Sequence, residues 1–180
     1  MDSISAIYSK ICLHPITITE LHENLPYSRE SIYKSIQELY SLGLIEKVNQ
    51  GRTNLIIPSK GYRSKLMQDL FIKALENDVD PKFLLEDSFI TVLKNSKGPT
   101  SLSKLRHRTG LSYHRSRKVL FFMEHWNLIR IVKRKPLLFE INEENELISI
   151  VVKVIGSRKL NENDFRKKML HDGDMGFRFK

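Results

Sequence analysis

The feature that most constrains this chain is an internal repeat. Ile18, Leu21, Ser28, Ile36, Leu39, Leu44 and Ile45 recur 84 positions later as Leu102, Leu105, Ser112, Leu120, Met123, Leu128 and Ile129. Pro15 falls opposite Pro99 and Pro26 opposite Gly110, so apolar spacing, polar caps and chain breakers agree at one offset. Only the segments before the two prolines need a shift of a residue or two. A chain that repeats its apolar spacing repeats the supersecondary unit that buries it, so two copies of one unit are expected.

Local signals give the content of the unit. Ala6, Ile7 and Ile11 lie at helical spacing in 5–13, which ends before Pro15. A short β-branched stretch leads to a second helix over 18–25, with Ile18, Leu21 and Leu25 inward and Pro26 as its stop. Ser28 offers an N-cap oxygen to a third helix whose buried stripe is Ile32, Ile36 and Leu39, and Gly43 ends it. Strands over 44–48 and 54–57 flank Asn49, Gln50, Gly51 and Arg52, a tight hairpin. In the second copy the helices are expected over 83–93, 101–109 and 112–126, and the strands over 128–132 and 137–141 around Lys133, Arg134, Lys135 and Pro136. The order helix, helix, helix, hairpin recurs.

Two further helices complete the plan. Leu66, Met67, Leu70, Phe71, Ala74 and Leu75 make an amphipathic stripe in 60–76. Asn142 is expected to cap a last helix rich in β-branched residues, ending at Gly156. The expected organisation is a first module over 1–59, a linker helix over 60–80, a second module with its C-terminal helix over 81–156, and a basic, partly flexible tail over 157–180. The fold class is mainly α with small β-hairpin wings, that is α+β.

Composition narrows the function. With 41% hydrophobic and 28% charged residues the chain carries enough apolar material for one or two small cores. Its 30 Lys and Arg against 21 Asp and Glu leave a net charge of +9, which favours a polyanionic partner. Nucleic acid or an anionic membrane surface could supply that partner; no run approaches the roughly 18 apolar residues of a membrane span and no signal-peptide pattern opens the chain, so an intracellular protein is expected, cytoplasmic and nucleoid-associated with no membrane partner where the polyanion is DNA. The single cysteine, Cys12, has apolar neighbours and suits a core. The six histidines lack metal-ligand spacing, and neither a Gly-rich phosphate loop nor a nucleophile elbow is present. No catalytic residue, cofactor or metal is expected.

Ser28 through Leu39, followed by Gly43, Leu44, Ile45 and the turn Gly51, Arg52, Thr53, resembles a winged helix-turn-helix transcriptional regulator. Ile57 through Arg63, leading into a helix, is similar to the post-wing segment of MarR-type regulators. In the second copy Thr109 through Tyr113 and Asn127, Leu128, Ile129 match the same pattern, with Asn127 where the family usually has Gly; Asn tolerates left-handed geometry nearly as well. The resemblance covers roughly residues 3–155. It implies two tandem winged helices that bind double-stranded DNA, and a homodimer through a helix outside the reading heads. The linker helix and the C-terminal helix are the candidates for that contact; completing the cores of their own modules is the competing role.

A helix-turn-helix sets the exposed face of its second helix in the major groove, and the wing reaches a neighbouring groove or the phosphates. The candidate DNA-binding residues of the first copy are therefore Arg29, Ser31, Tyr33, Lys34 and Gln37, with Arg52 at the wing tip. Those of the second are Arg106, Tyr113, His114, Arg115, Arg117 and Lys118, with Lys133, Arg134 and Lys135 at the wing. Between Ser101 and Lys135 ten Lys and Arg stand against one acid, Glu124, whereas between His14 and Pro58 four stand against five acids. The second copy is thus the expected electrostatic anchor. Phe121 aligns with the outward Gln37, and its expected role is packing against another part of the chain rather than stacking on bases. Two other readings share the fold: a replication or plasmid initiator, and a protein-interaction subunit of a chromosome or polymerase complex.

Overall fold

The computed structural model describes residues 3–157 apart from Arg52. It is a mixed α and β structure, mostly helical, with two small antiparallel sheets. The first repeat runs α1 (Ser3–Leu13), α2 (Ile18–Asn24), α3 (Arg29–Ser41), β1 (Ile45–Gln50) and β2 (Thr53–Pro58), and α4 (Tyr62–Glu76) follows. The second runs α5 (Pro81–Leu85), α6 (Asp87–Asn95), β3 (Thr100–Ser101), α7 (Leu102–Thr109), α8 (Tyr113–His125), β4 (Ile129–Arg134) and β5 (Leu137–Ile141). The helix α9 (Glu146–Gly156) closes the described part. The expected basic tail, from residue 158 on, lies outside the described residues. Among them no helix is long and apolar enough to cross a membrane.

Helix starts are fixed by short polar side chains that accept from otherwise orphaned N–H groups. Ser28 Oγ accepts from Ser31 N at 3.2 Å, and its counterpart Ser112 Oγ from Arg115 N at 3.3 Å. Thr17 Oγ1 accepts from Glu20 N at 3.1 Å while Glu20 Oε2 accepts from Thr17 N at 2.8 Å. The ends of α3 and α8 also match: Gly43 at φ +66° and Asn127 at φ +54° both turn the chain left-handed into the first strand.

The hairpins keep the repeat to the residue at their turns and lose it by one residue at their bases. Gln50 pairs with Thr53 and Arg134 with Leu137, so each turn holds two residues and is tighter than the four-residue turns expected. A bulge between Ile131 and Lys133 then pairs Ile129 with Ile141, where Ile45 pairs with Pro58. The stretch before each second helix adds a third edge: Ile16 bridges Ile56, and Thr100 pairs with Phe139. Ile56 and Phe139 are both fully buried.

The buried stripes of α3 (Ile32, Ser35, Ile36, Leu39) and α8 (Ser116, Val119, Leu120, Met123) coincide at the repeat offset. Small and large residues trade places between them, since Ile32 answers to Ser116 and Ser35 to Val119. The apolar interiors of both repeats form one continuous cluster. The helix α4 is what joins them, packing on α1, β2, α5 and α9. Tyr8 meets Phe71 edge-on at 4.8 Å, Ser64 Oγ donates to Leu44 O at 2.7 Å, and Lys73 Nζ reaches Glu146 at 2.7 Å across the α4–α9 contact. Leu66, Met67, Leu70, Phe71 and Ala74 of α4 are buried within the chain, as are Leu147, Ile148 and Val151 of α9. The stripes named as candidate dimer contacts are thus occupied intramolecularly. Cys12 is buried, as expected, and burial pushes its thiol up to about 12.

Two expected elements differ. The single helix over 83–93 is broken at Glu86, which is extended (ψ 139°), into α5 and α6. Consecutive Phe83, Leu84 and Leu85 are all buried, and successive helical residues point about 100° apart, so one straight helix could not bury them together with Phe89 and Ile90. Asp80 caps the new start by accepting from Lys82 N at 2.9 Å, with Pro81 at the first helical position. The C-terminal helix is capped by Asn145, not Asn142: Asn145 Oδ1 accepts from Leu147 N at 2.9 Å. Asn142 is instead buried, its Nδ2 donating to Asn127 O at 2.9 Å, which ties the start of β4 to the end of β5.

Candidate nucleic-acid interface

The outer face of α8 is created by what its inner face must do. Burying Ser116, Val119, Leu120 and Met123 turns Tyr113, His114, Arg115, Arg117, Lys118 and Phe121 outward, and all six are exposed. Behind the helix a ring cluster fixes its rotation: Phe122 stacks on Trp126 at 5.5 Å, and Phe83 meets Phe122 at 5.5 Å and Trp126 at 5.1 Å. The preceding helix α7 starts at Ser101, whose Oγ accepts from Lys104 N at 3.1 Å, and ends at Gly110 with φ +69°. A side chain with a Cβ is strained at that angle, and the sharp left-handed turn is what sets α8 off in a new direction after two residues.

Tyr113 organises the charges where α7 and α8 meet. Arg106 of α7 and Arg117 of α8 each place a guanidinium 5.6 Å from the centre of its ring, and Arg117 Nη1 donates to Tyr113 Oη at 3.3 Å. Two cations that repel each other are thereby held near one aromatic face. Lys133, Arg134 and Lys135 are exposed at the far end of the β4–β5 hairpin. Lys133 and Arg134 belong to β4 rather than to the turn. Arg134 also reaches Glu124, the one acid of this region, at 3.7 Å. Arg108 is turned away, donating to Asn95 O at 3.1 Å at the C-terminal end of α6, and Arg130 is paired with Glu144.

The corresponding surface of the first repeat is different in kind. Arg29, Tyr33, Lys34 and Gln37 are exposed on α3, but Ser31 is only half exposed because it sits in the first turn beneath its cap. Lys34 Nζ pairs with Glu30 at 2.9 Å, and that hydrogen bond and charge hold the Glu30 carboxyl below its ordinary range. Tyr33 and Tyr40 are each about half exposed, at 50% and 54%, and sit two turns apart on one face. Arg52 lies outside the described residues.

Phe121 departs from expectation. Among the described residues it does not pack against another part of the chain: it is 66% exposed, and its ring contact is with its neighbour Phe122 at 5.8 Å. It is Phe122 that takes the buried direction, about 100° around the helix. The alignment of Phe121 with the outward Gln37 carried the right signal. Tyr40, Tyr113 as a clip between two arginines, and the pairing of Arg130 with Glu144 and of Lys34 with Glu30 were missed in the sequence.

The arrangement offers an exposed, cation-rich helix face with a basic hairpin beside it, the kind of surface that attracts an extended polyanion. Among the described residues no group of His, Cys, Asp and Glu side chains is placed to hold a metal ion. No protein-family model matches the chain, and no curated protein matches it.

Proposed function

We propose that this chain binds double-stranded DNA through two tandem winged helix-turn-helix modules and regulates transcription, the second module being the main electrostatic anchor. On this reading α3 and α8 are the recognition helices, and the β1–β2 and β4–β5 hairpins are the wings. The observation that carries it is the outward placement of Arg106, Arg115, Arg117, Lys118, Lys133 and Lys135 on one helix pair and its hairpin, with Glu124 the sole acid between Ser101 and Lys135. The matching buried stripes of α3 and α8, their serine caps and their left-handed exits support the assignment of both as copies of one module.

The test is a fluorescence-anisotropy titration of random duplex DNA at several salt concentrations, comparing the wild type with Arg115→Glu/Arg117→Glu. Binding that falls steeply with salt, and is lost on charge reversal, is expected. Absence of binding even at low salt sinks the proposal. The α3 face supports a second reading for the first module, as a protein-docking surface, because Tyr33 and Tyr40 are exposed there while Lys34 is compensated by Glu30. A hydroxyl-radical footprint separates the two: protection that shrinks on Arg29→Glu places α3 on DNA, and protection that does not change favours docking.

A further inference from the structure

We infer that Phe121 is a base-reading residue that packs against the methyl group of thymine in the major groove, an inference that rests on the proposed DNA-binding role of α8. Exposure alone would not support it, since single apolar side chains on a surface are ordinary. Its surroundings do. One turn toward the N-terminus the ring is flanked by Arg117 and Lys118, and one turn toward the C-terminus by Glu124 and His125. Glu124 is itself approached by Arg134 from the hairpin. An apolar ring set between two cations on one side and an ion-paired acid and a histidine on the other does not match an apolar protein patch, which would continue outward in more apolar side chains. It matches a polyanion that carries isolated apolar spots, and duplex DNA has one kind of these in its major groove, the thymine C5-methyl.

Register along the helix agrees. Tyr113, Arg117 and Phe121 follow one another at four-residue spacing, so they form a single outward row about 12 Å long. In the first repeat the same row is Arg29, Tyr33 and Gln37. Where α3 sets an amide, which suits adenine N6 and N7, α8 sets a ring that has no hydrogen bond to offer and can discriminate only by shape and apolar contact. Phe121 is held in this direction because Phe122 and Trp126 behind it stack on each other and meet Phe83 edge-on, which fixes the rotation of the helix.

The experiment changes the DNA rather than the fold. Duplexes enriched from a random pool by the wild-type chain are resynthesised with uracil replacing thymine at one position at a time, which removes only the methyl group. Each is titrated by anisotropy with wild type and with Phe121→Ala. At one or two positions the wild type is expected to bind the uracil duplex roughly fourfold more weakly, the value of one buried methyl, while Phe121→Ala binds both duplexes alike. Indifference of the wild type to uracil at every position overturns the inference and leaves DNA binding standing. So does discrimination that survives in Phe121→Ala. If Phe121→Ala alters sedimentation of the free protein and leaves the uracil effect intact, the ring packs on a second copy instead. A wild type that binds no duplex removes the DNA reading itself, and this inference with it.

Discussion

Replacing Arg115, Arg117 and Lys118 together by Gln should flatten the salt dependence of DNA binding by an amount fixed in advance. Each phosphate neutralised by a cation contributes about −0.9 to the slope of log K against log salt. If Arg106, Arg115, Arg117, Lys118, Lys133 and Lys135, all exposed, each meet a phosphate, the wild-type slope is about −5. Affinity then falls by about three orders of magnitude between 50 and 200 mM salt. The triple variant should retain a slope of about −2.7. The side chains are exposed, so the cost to stability should stay within about 0.5 kcal/mol per site, and a thermal melt verifies that the fold is intact. A matched control comes from α3. Arg29→Gln/Lys34→Gln removes two charges that lie outside the six counted, and Lys34 is already paired with Glu30 at 2.9 Å, so the slope should stay near the wild-type value of about −5. A triple variant with the wild-type slope, or an α3 pair that flattens the slope more than the α8 triple does, would refute the assignment of α8 as anchor.

Tyr113→Ala should weaken binding roughly two- to fivefold by releasing the two guanidinium groups held over its ring, whereas Tyr113→Phe, which keeps the ring, should stay within about twofold; equal losses in the two variants would show that the ring is not what matters. Asn127 sits at φ +54°, so Asn127→Gly should be tolerated, while Asn127→Val should cost about 1–2 kcal/mol by urea denaturation. Burial raises Cys12 from 9.0 to about 12, and it also raises the phenol of Tyr8 above its ordinary value. Both groups stay neutral in the folded protein at ordinary pH, so the Cys12 contribution is complete below pH 9 and is lost as pH rises toward 12, while the Tyr8 contribution begins to be lost only above pH 10. From Cys12 alone the loss should approach about 1.4 kcal/mol per pH unit in that window. Urea midpoints measured at pH 8, 9, 10 and 11 check this, and an unchanged slope in Cys12→Ala would remove Cys12 as a cause.

What could be read from the sequence follows from which interactions are local. Serine caps and the glycine and asparagine at helix ends depend on neighbours within four positions, and the repeat displayed each of them twice; the hairpins were legible too, but their strands run further toward the turns than the four-residue turns expected. The break at Glu86 depends on three consecutive apolar residues all finding a core, which a periodicity argument takes for one helix. Asn142 and Asn145 are equally good caps on paper. Both donate to Asn127 O, and what decides between them is that the fold buries Asn142 and leaves Asn145 Oδ1 to accept from Leu147 N. The same holds for the site. That Arg115, Arg117 and Lys118 face outward followed from the spacing of the buried stripe, but the pairing of Arg130 with Glu144, 14 residues on, is set by the hairpin and the turn after it. For Phe121 the repeat pointed outward and hydrophobicity pointed inward. The repeat was the stronger guide, because adjacent aromatics on a helix cannot both face a core that one of them already fills.

The two repeats hold their inner faces in common and differ on their outer ones. Ile32, Ser35, Ile36 and Leu39 map position for position onto Ser116, Val119, Leu120 and Met123, with compensating changes of size, so packing accounts for the inner stripe. Packing places no demand on the exposed row, yet Arg29, Tyr33 and Gln37 in one copy face Tyr113, Arg117 and Phe121 in the other. If both helices met the same surface, an exposed row free to vary would be expected to keep its charge. Instead the first region carries four basic residues against five acids and the second ten against one. On the proposed function, this divides the work between an anchoring helix that supplies salt-dependent affinity and a near-neutral helix that adds little to it. The α4 helix, packed on both halves through α1 and α9, holds the two in a fixed relation. A site read by this chain should therefore be asymmetric, with charge reversal in its second module abolishing binding and the same change in its first altering only which sequences are preferred.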